Sequence, residues 1–422
     1  MDYLPITQVC AECVELVRDV PISLLAVFAL STAAGVIILV YALLYLVAPR
    51  PRTPFEDEKK YKTISNDGSV TTPQPLPSWQ DTLKVSRDKK GNITVEGLSP
   101  AELFLSVVVP AYNEEDRLLG MLEEAVNYLE HTYGTLMEQL QAGKSLDAVG
   151  THGTSRQRKP NGTAGVSTTT IAPLRGWEII IVSDGSTDKT VATALSFSRD
   201  HQLSLHPKGH VGPWTTNAGE GVRIPPGTIR VVQLSQNRGK GGAVTHGLRH
   251  VRGQYAVFAD ADGASEFSCL GKLVAECQKV EDSESRGVAV GSRAHLVGSE
   301  AVVKRSKLRN FLMHSFHLIL RLLTPPATAS IKDTQCGFKL FSRASLPYIV
   351  PYMHSEGWIF DVEMLMLAEF AGIRVAEVPI GWREVKGSKL NVIWDSLGMA
   401  WGLAVLRASW GLGVYRRRLI NS

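Results

Sequence analysis

Val257-Phe258-Ala259-Asp260-Ala261-Asp262-Gly263 sets two carboxylates one residue apart behind a short apolar run. A buried strand needs such a run and ends where water or ligand begins, so the acids belong at its carboxyl end. In open α/β sheets that is where ligands bind. Asp260 and Asp262 can there hold a hard divalent cation, Mg2+ or Mn2+, and through it phosphate oxygens. Asp-Ala-Asp-Gly is also ordinary turn chemistry, so the reading rests on what else reaches the same cleft.

Three earlier segments repeat the arrangement. Leu103–Val109 is a β-rich apolar run ending in Pro110-Ala-Tyr112-Asn-Glu114-Glu115, with a helical pattern behind it at Leu118, Leu119, Leu122, Val126 and Leu129. Trp177–Val182 ends in Ser183-Asp184-Gly-Ser-Thr-Asp188, and Thr190–Phe197 reads as helix. Ile229–Leu234 is followed by Asn237-Arg-Gly-Lys240-Gly-Gly-Ala243 and a predicted helix over Val244–Val251. Tyr255–Ala259 is then the strand that carries the acids. Alternating strands and helices predict an α/β domain with a doubly wound, mostly parallel sheet. The glycine-rich stretch matches neither a P-loop nor a dinucleotide fingerprint. It is either a tight turn feeding a helix or a set of N–H groups, with Lys240, facing a nucleotide phosphate.

Further along, Val288–Val290 is a strand ending in Gly291-Ser292-Arg293. Lys304, Arg305, Lys307 and Arg309 precede the apolar run Phe311–Leu323. That run suits a helix in a membrane interface, with a core helix as the competing reading. Asp333–Lys339 and Gly357–Glu363 read as loops, the second carrying Asp361. Ile373–Pro379 is a late strand, followed by Trp382-Arg383 and Ser388-Lys389.

The chain of 422 residues has material for one large domain with appendages, and its formal charge of +4 is too small for a nucleic-acid binder. Five scattered cysteines, with Cys10 and Cys13 as a lone C-x-x-C, suggest no disulfide framework and no zinc site. Residues 1–20 are short and acidic. From Ile22 to Ala48 no residue is charged, which predicts a transmembrane anchor over 21–49. Arg50, Arg52, Lys59, Lys60 and Lys62 follow it against Arg18 before it, so a lumenal N-terminus and a cytoplasmic remainder are expected. The sequons at Asn92 and Asn161 are then expected to stay unmodified. Residues 50–100 read as a linker with a short hairpin near Leu83–Val95, and 101–390 as the catalytic domain, with mobile insertions at about 134–175 and 202–227. Residues 391–422, with Trp394, Trp401, Trp410 and Arg416–Arg418, read as membrane-interface helices.

Val-Val-Val-Pro110-Ala-Tyr-Asn-Glu, Val182-Ser-Asp-Gly-Ser-Thr-Asp, Asn237-Arg-Gly-Lys-Gly-Gly-Ala and Asp260-Ala-Asp-Gly resemble, in order, the signature of glycosyltransferase family 2. The resemblance spans roughly residues 103–395 and implies a GT-A type fold that uses nucleotide sugars. Asp333-Thr-Gln-Cys-Gly-Phe-Lys339, Trp358-Ile-Phe-Asp-Val-Glu363 and Gly387-Ser-Lys-Leu390 look like the polyprenyl-phosphate sugar synthases that carry glucose rather than mannose. It implies UDP-glucose and dolichyl phosphate as substrates, dolichyl β-D-glucosyl phosphate and UDP as products, and the cytoplasmic face of the endoplasmic reticulum membrane as the location. It implies uracil and ribose contacts from Pro110, Tyr112, Glu114, Val182, Asp184 and Ala261. Lys240, Arg383 and Lys389 would face the donor diphosphate, and Arg293 with Arg305 or Arg309 the acceptor phosphate. Asp262, helped by Asp260, would bind the metal. Asp361 stands where relatives place a base, here either positioning the donor sugar or structuring its own loop. Mannosyl relatives often have Gln where this chain has Ala264. A mannosyltransferase using GDP-mannose and an inactive binding protein are the alternatives.

Overall fold

Strand formation follows the apolar runs, and the sheet that results brings their polar ends together. The computed structural model describes residues 21–87, 93–134, 174–296, 315, 318–385 and 392–415. Its strands are β1 (Lys60–Lys62), β2 (Gln74–Pro75), β3 (Lys84–Arg87), β4 (Ile93–Glu96), β5 (Leu103–Ala111), β6 (Trp177–Asp184), β7 (Ile229–Leu234), β8 (Gly253–Ala259), β9 (Val288–Ser292), β10 (Phe338–Ser342) and β11 (Val375–Pro379). The longer helices are α1 (Ile22–Val47), α2 (Leu118–Tyr133), α3 (Thr190–Leu203), α4 (Lys240–Leu248), α5 (Leu270–Val280), α6 (Phe360–Phe370) and α7 (Val392–Gly411).

Nine strands form one sheet in the order β11-β9-β10-β8-β5-β6-β7-β1-β2. Its centre is parallel: β5 pairs with β6 and β8, and β6 with β7. β10 runs antiparallel between β8 and β9, and β1 runs antiparallel along β7. Both faces are covered, as an apolar parallel sheet requires. Val107, Val109, Ile179, Ile181, Val231 and Val257 pack into one core with α2, α3 and α5. Their neighbours in the two-residue strand period face the other layer. There Gly247 of α4 passes so close that a Cβ would lie 2.4 Å from Val108, and Phe258 meets Phe360 of α6 at 5.7 Å between ring centroids.

The structure departs from the sequence reading in several places. Residues 50–100 are not a bare linker. They supply β1 and β2 to the main sheet and the β3–β4 hairpin, the hairpin lying where it was expected. Ile64, Leu76, Trp79 and Leu83 are buried there, and the Trp79 indole donates to the Leu248 carbonyl at 2.7 Å. Glu58, also buried, accepts from Arg52, Phe55 N–H and Ser235 N–H. The segments read as loops at 333–339 and 357–363 run into β10 and α6. A buried lysine in one and a carboxylate in the first turn of the other had hidden the apolar pattern. Residues 204–228, expected as part of a mobile insertion, pack on α2 and α3 through Ile224 and Gly221. Within 318–323 the chain is helical, with Leu320 buried and Leu318 and Leu322 exposed. The other insertion, 135–173, lies outside the described residues.

The described chain divides into two compact units, one drawing on residues 21–48 and 404–415, the other on 49–403. The first contains α1, none of whose side chains is buried. With 26 residues it is about 39 Å long, long and apolar enough to cross a bilayer core of about 30 Å.

Candidate active site

Register brings the polar strand ends level. Pro110 pairs with Val182 and Ala111 with Ser183 across β5 and β6, Val108 pairs with Phe258 across β5 and β8, and Val182 with Val232 across β6 and β7. The loops after β5, β6, β7 and β8 therefore open at one edge, as expected from the sequence.

The loops after β5 and β6 are laced together. Asn113 adopts a left-handed φ of 54°, and its N–H donates to Ser186 while its side-chain oxygen accepts from Thr187 N–H at 2.8 Å. Glu114 N–H donates to Thr190 Oγ1 at 2.7 Å, and Lys189 N–H donates to Glu115 at 2.9 Å. The Glu114 carboxylate is held by both arms of Arg117, at 2.7 and 2.6 Å. Tyr112 is exposed at the mouth, whereas the Val182 side chain is fully buried.

The loop after β7 starts α4 at Lys240, four residues earlier than the sequence pattern indicated. Asp184 shapes it: one carboxylate oxygen accepts from Arg238 N–H at 2.7 Å, and its carbonyl accepts from Asn237 at 3.1 Å. Burial raises the Asp184 carboxyl to about 6, against the pull of the Arg238 and Gly239 N–H groups. Lys240 turns toward the acids and its Nζ lies 2.6 Å from Asp260 Oδ1.

Around the acid pair the packing leaves little slack. Asp260 N–H donates to the Gly337 carbonyl at 3.2 Å, and a Cβ on Gly337 would sit 2.0 Å from Asp260 Oδ2. Asp262 accepts from Ala264 N–H at 3.0 Å, and Arg117 Nη1 lies 3.7 Å from its other oxygen. Burial, then the neighbouring Asp260 charge, raises the Asp262 carboxyl. Both side chains keep part of their surface, 30% for Asp260 and 27% for Asp262. Two adjacent carboxylates that still reach solvent fit a hard divalent cation completed by phosphate and water oxygens.

Behind them, Asp361 is buried in the first turn of α6 and bonded to the equally buried Lys339 of β10. Lys339 also donates to the Cys336 carbonyl at 2.6 Å. Burial pushes the Asp361 carboxyl up, against the ammonium groups of Lys339 and Lys240. Arg293, at the end of β9, does not present a bare fork. Its guanidinium engages Asp333 with contacts of 2.7 and 2.8 Å, and its charge sits 5.7 Å from the Trp382 ring centroid. Arg383 donates to the Pro213 carbonyl at 2.7 Å and lies over Trp214 at 4.3 Å, while its N–H donates to Ala264 at 2.9 Å. Arg305, Arg309 and Lys389 lie outside the described residues.

Arg117, Lys339 and Asp333 were missed in the sequence. Arg117 follows Glu114 by three residues, a helical pairing distance that could have flagged it. Lys339 and Asp333 stood in a quoted motif without a role, because their partners, Asp361 on α6 and Arg293 just after β9, lie far away in sequence.

Residues 168–347 match the glycosyl transferase family 2 model. The dolichyl-phosphate beta-glucosyltransferase of Saccharomyces cerevisiae is 38% identical over 388 residues, which cover 90% of this chain and 92% of the yeast protein. The protein of the same name from Drosophila melanogaster is 36% identical over 97% of each chain, and that from Homo sapiens 34% identical over 74% of this chain and 77% of its own. Among solved structures, glucosyl-3-phosphoglycerate synthase from Mycobacterium tuberculosis, in complex with Mg2+ and UDP, aligns over 75% of this chain and 87% of its own at 17% identity and a TM-score of 0.40.

Proposed function

The chain belongs to the dolichyl-phosphate β-glucosyltransferase family within glycosyltransferase family 2, and from that premise we propose that it transfers glucose from UDP-glucose to dolichyl phosphate with inversion. The observation that carries the proposal is the acid pair at the end of β8, flanked by Lys240 and Arg117 and level with the loops after β5, β6 and β7.

The acceptor needs no general base. A phosphate monoester has a second pKa of about 6 and is largely dianionic at neutral pH. One of its oxygens attacks the anomeric carbon as the bond from that carbon to UDP breaks. A single in-line displacement turns α-glucose into the β-linked product. The obstacle is two anions meeting, and the residues address it with charge. Asp262 and Asp260 would hold Mg2+ or Mn2+, which when bound neutralises the donor diphosphate and stabilises departing UDP. Lys240 has its ammonium within reach of the same phosphates, and Arg117 steadies both Asp262 and Glu114. Pro110, Tyr112, Glu114, Val182, Asp184 and Ala261 would surround uracil and ribose. Arg383 and Lys389 would close on the diphosphate.

Asp361 fits a positioning role better than a proton-transfer role, because Lys339 and the surrounding core occupy it. Arg305 and Arg309 remain the proposed acceptor grip, with Arg293 contributing whatever Asp333 leaves of its charge. The topology follows from α1 and the five basic residues after it. We assign the N-terminus to the lumen of the endoplasmic reticulum and the catalytic domain to the cytoplasm. Glycosidase-sensitive mass at Asn92 or Asn161 would reverse that assignment.

Purified full chain in dolichyl-phosphate vesicles tests the reaction. UDP-glucose with Mg2+ or Mn2+ should give a lipid-soluble glucosyl product, and GDP-mannose should not. Asp262→Asn should lower turnover at least about 100-fold with the thermal melt unchanged. Full activity in that variant would remove the metal role from Asp262.

A further inference from the structure

A second group of ligating atoms lies away from the acid pair. Glu123 of α2 and His201, in the last turn of α3, are both buried, at 2% and 0% exposure. His210 comes from the segment between α3 and β7 and is half-buried. One ligating atom from each falls within 4.8 Å of the others. We propose that Glu123, His201 and His210 form a zinc-class cation site, distinct from the acid pair, that pins residues 204–228 to the catalytic domain.

The tautomer of His201 carries the argument. Its Nδ1 lies 2.8 Å from the Val222 carbonyl, and a carbonyl can only accept, so Nδ1 holds the hydrogen. In the neutral ring Nε2 then presents a lone pair. That atom has a buried carboxylate as its neighbour, Glu123 Oε2 at 3.2 Å, without the alignment of a formed hydrogen bond. A lone pair and a carboxylate face each other among buried side chains. A proton on Nε2 or a cation has to join them, and His210, whose ligating atom lies within 4.8 Å of both, brings the third donor that a cation would use.

The surroundings are those of a ligand set. A ligating imidazole characteristically gives its other N–H to a carbonyl, which fixes ring orientation, and Val222 does this for His201. Glu123 accepts from the Asn127 side chain at 3.1 Å and from the backbone N–H of His210 at 3.2 Å. Phe197 stacks on His201 with ring centroids 4.0 Å apart, giving an apolar wall. Gly221 lies against the cluster, since a Cβ there would come within 2.5 Å of the His201 ring.

Two imidazoles and a carboxylate select Zn2+ over Mg2+, which prefers oxygen donors and keeps its water. Tetrahedral ligands about 2.0–2.1 Å from zinc lie about 3.4 Å apart, so closure of at most about 1.4 Å brings the three ligands to zinc distance and leaves the fourth position to water. The pinned segment also borders the acid-pair loop. Glu124 accepts from Trp214 and Thr215 N–H at 2.7 and 3.1 Å, and the Trp214 indole donates to the Gly263 carbonyl at 3.1 Å. An ion at the cluster would fix one wall of the donor site without touching substrate.

The test is metal content and melting of the detergent-purified full chain, stripped with chelator, reloaded with Zn2+ and desalted. Wild type and Asp262→Asn should each retain about one zinc per chain. His210→Ala, a change at a half-buried ring, should bind Zn2+ at least about 100-fold more weakly. Zn2+ should raise the melting temperature of wild type and not of His210→Ala, whose melt should match stripped wild type. Excess Mg2+ should not displace the zinc. Wild type retaining no zinc would overturn the site and leave a proton between His201 and Glu123. Equal retention by His210→Ala, or zinc lost only in Asp262→Asn, would overturn it as well.

Discussion

Two sites carry charge in ways that can be measured. Asp184 is held above the ordinary carboxylate range, at about 6, chiefly by burial. A carboxyl raised in the folded state binds its proton more tightly folded than unfolded. Its contribution to stability is therefore complete below the unfolded value of about 3.8 and is lost as pH rises through about 6. Ionisation strengthens its hold on the Arg238 N–H and hence on the loop carrying Lys240. UDP-glucose affinity, measured calorimetrically without acceptor, should fall as pH drops through about 6. In Asp184→Asn that limb should vanish; an unchanged limb would assign the titration to another group. The Lys339–Asp361 pair is the other case. Leaving one buried charge without its partner costs about 3–5 kcal/mol. Lys339→Met should therefore lower the melting temperature sharply, and Lys339→Met with Asp361→Leu should recover most of the loss. Equal melts for the single variant and wild type would mean the pair is not ionised.

Elements set how closely these residues meet. β10 brings the turn at Gly337 against Asp260, and only a residue without a side chain fits there. Gly337→Ala should push the Asp260 carboxylate aside. The expected result is a fall in kcat of at least about tenfold with a small change in melting temperature. A normal kcat would show that Asp260 has room to move. The same crossing explains why β10 escaped the sequence reading. Its alternation is interrupted by a lysine whose partner lies on α6. Conversely, β5 through β8 were legible because a central parallel strand is apolar almost throughout, whatever its tertiary partners. Short edge strands such as β1 and β2 carry no such run, so residues 50–100 read as a linker in sequence although Trp79 and Glu58 are buried.

At the scale of the whole molecule, charge and apolar surface divide along the chain. α1 has the length and composition to cross a membrane, and the five basic residues after it lie at its carboxyl side. α7 is different: Trp394, Leu397 and Trp401 recur at helical spacing and are 72%, 55% and 65% exposed, while Leu403 and Leu406 are buried. Such a stripe suits contact with a bilayer interface. Removing residues 1–48 should abolish carbonate-resistant membrane attachment but leave vesicle binding that Trp394→Ser with Trp401→Ser reduces. Vesicle flotation measures both. Retained binding in the tryptophan variant would assign contact to another surface.

Sequence by itself determined the central strands β5 to β8 with their polar loops, the acid pair, an apolar helix long enough to cross a membrane and the family to which the motifs point. Each of these is local: a run of apolar residues, a turn, or a cluster within a few positions. Only the tertiary structure decided that Asp361 is bound to Lys339, that Arg293 is bound to Asp333, and that Arg117 joins Glu114 to Asp262. It also decided that two histidines from one insertion edge meet a glutamate on α2. These pairings cross between elements, and their energies depend on burial and distance, which no spacing along the chain encodes. The acid pair at the end of β8 was legible at once; the charges that surround it came from strands and helices far away in sequence.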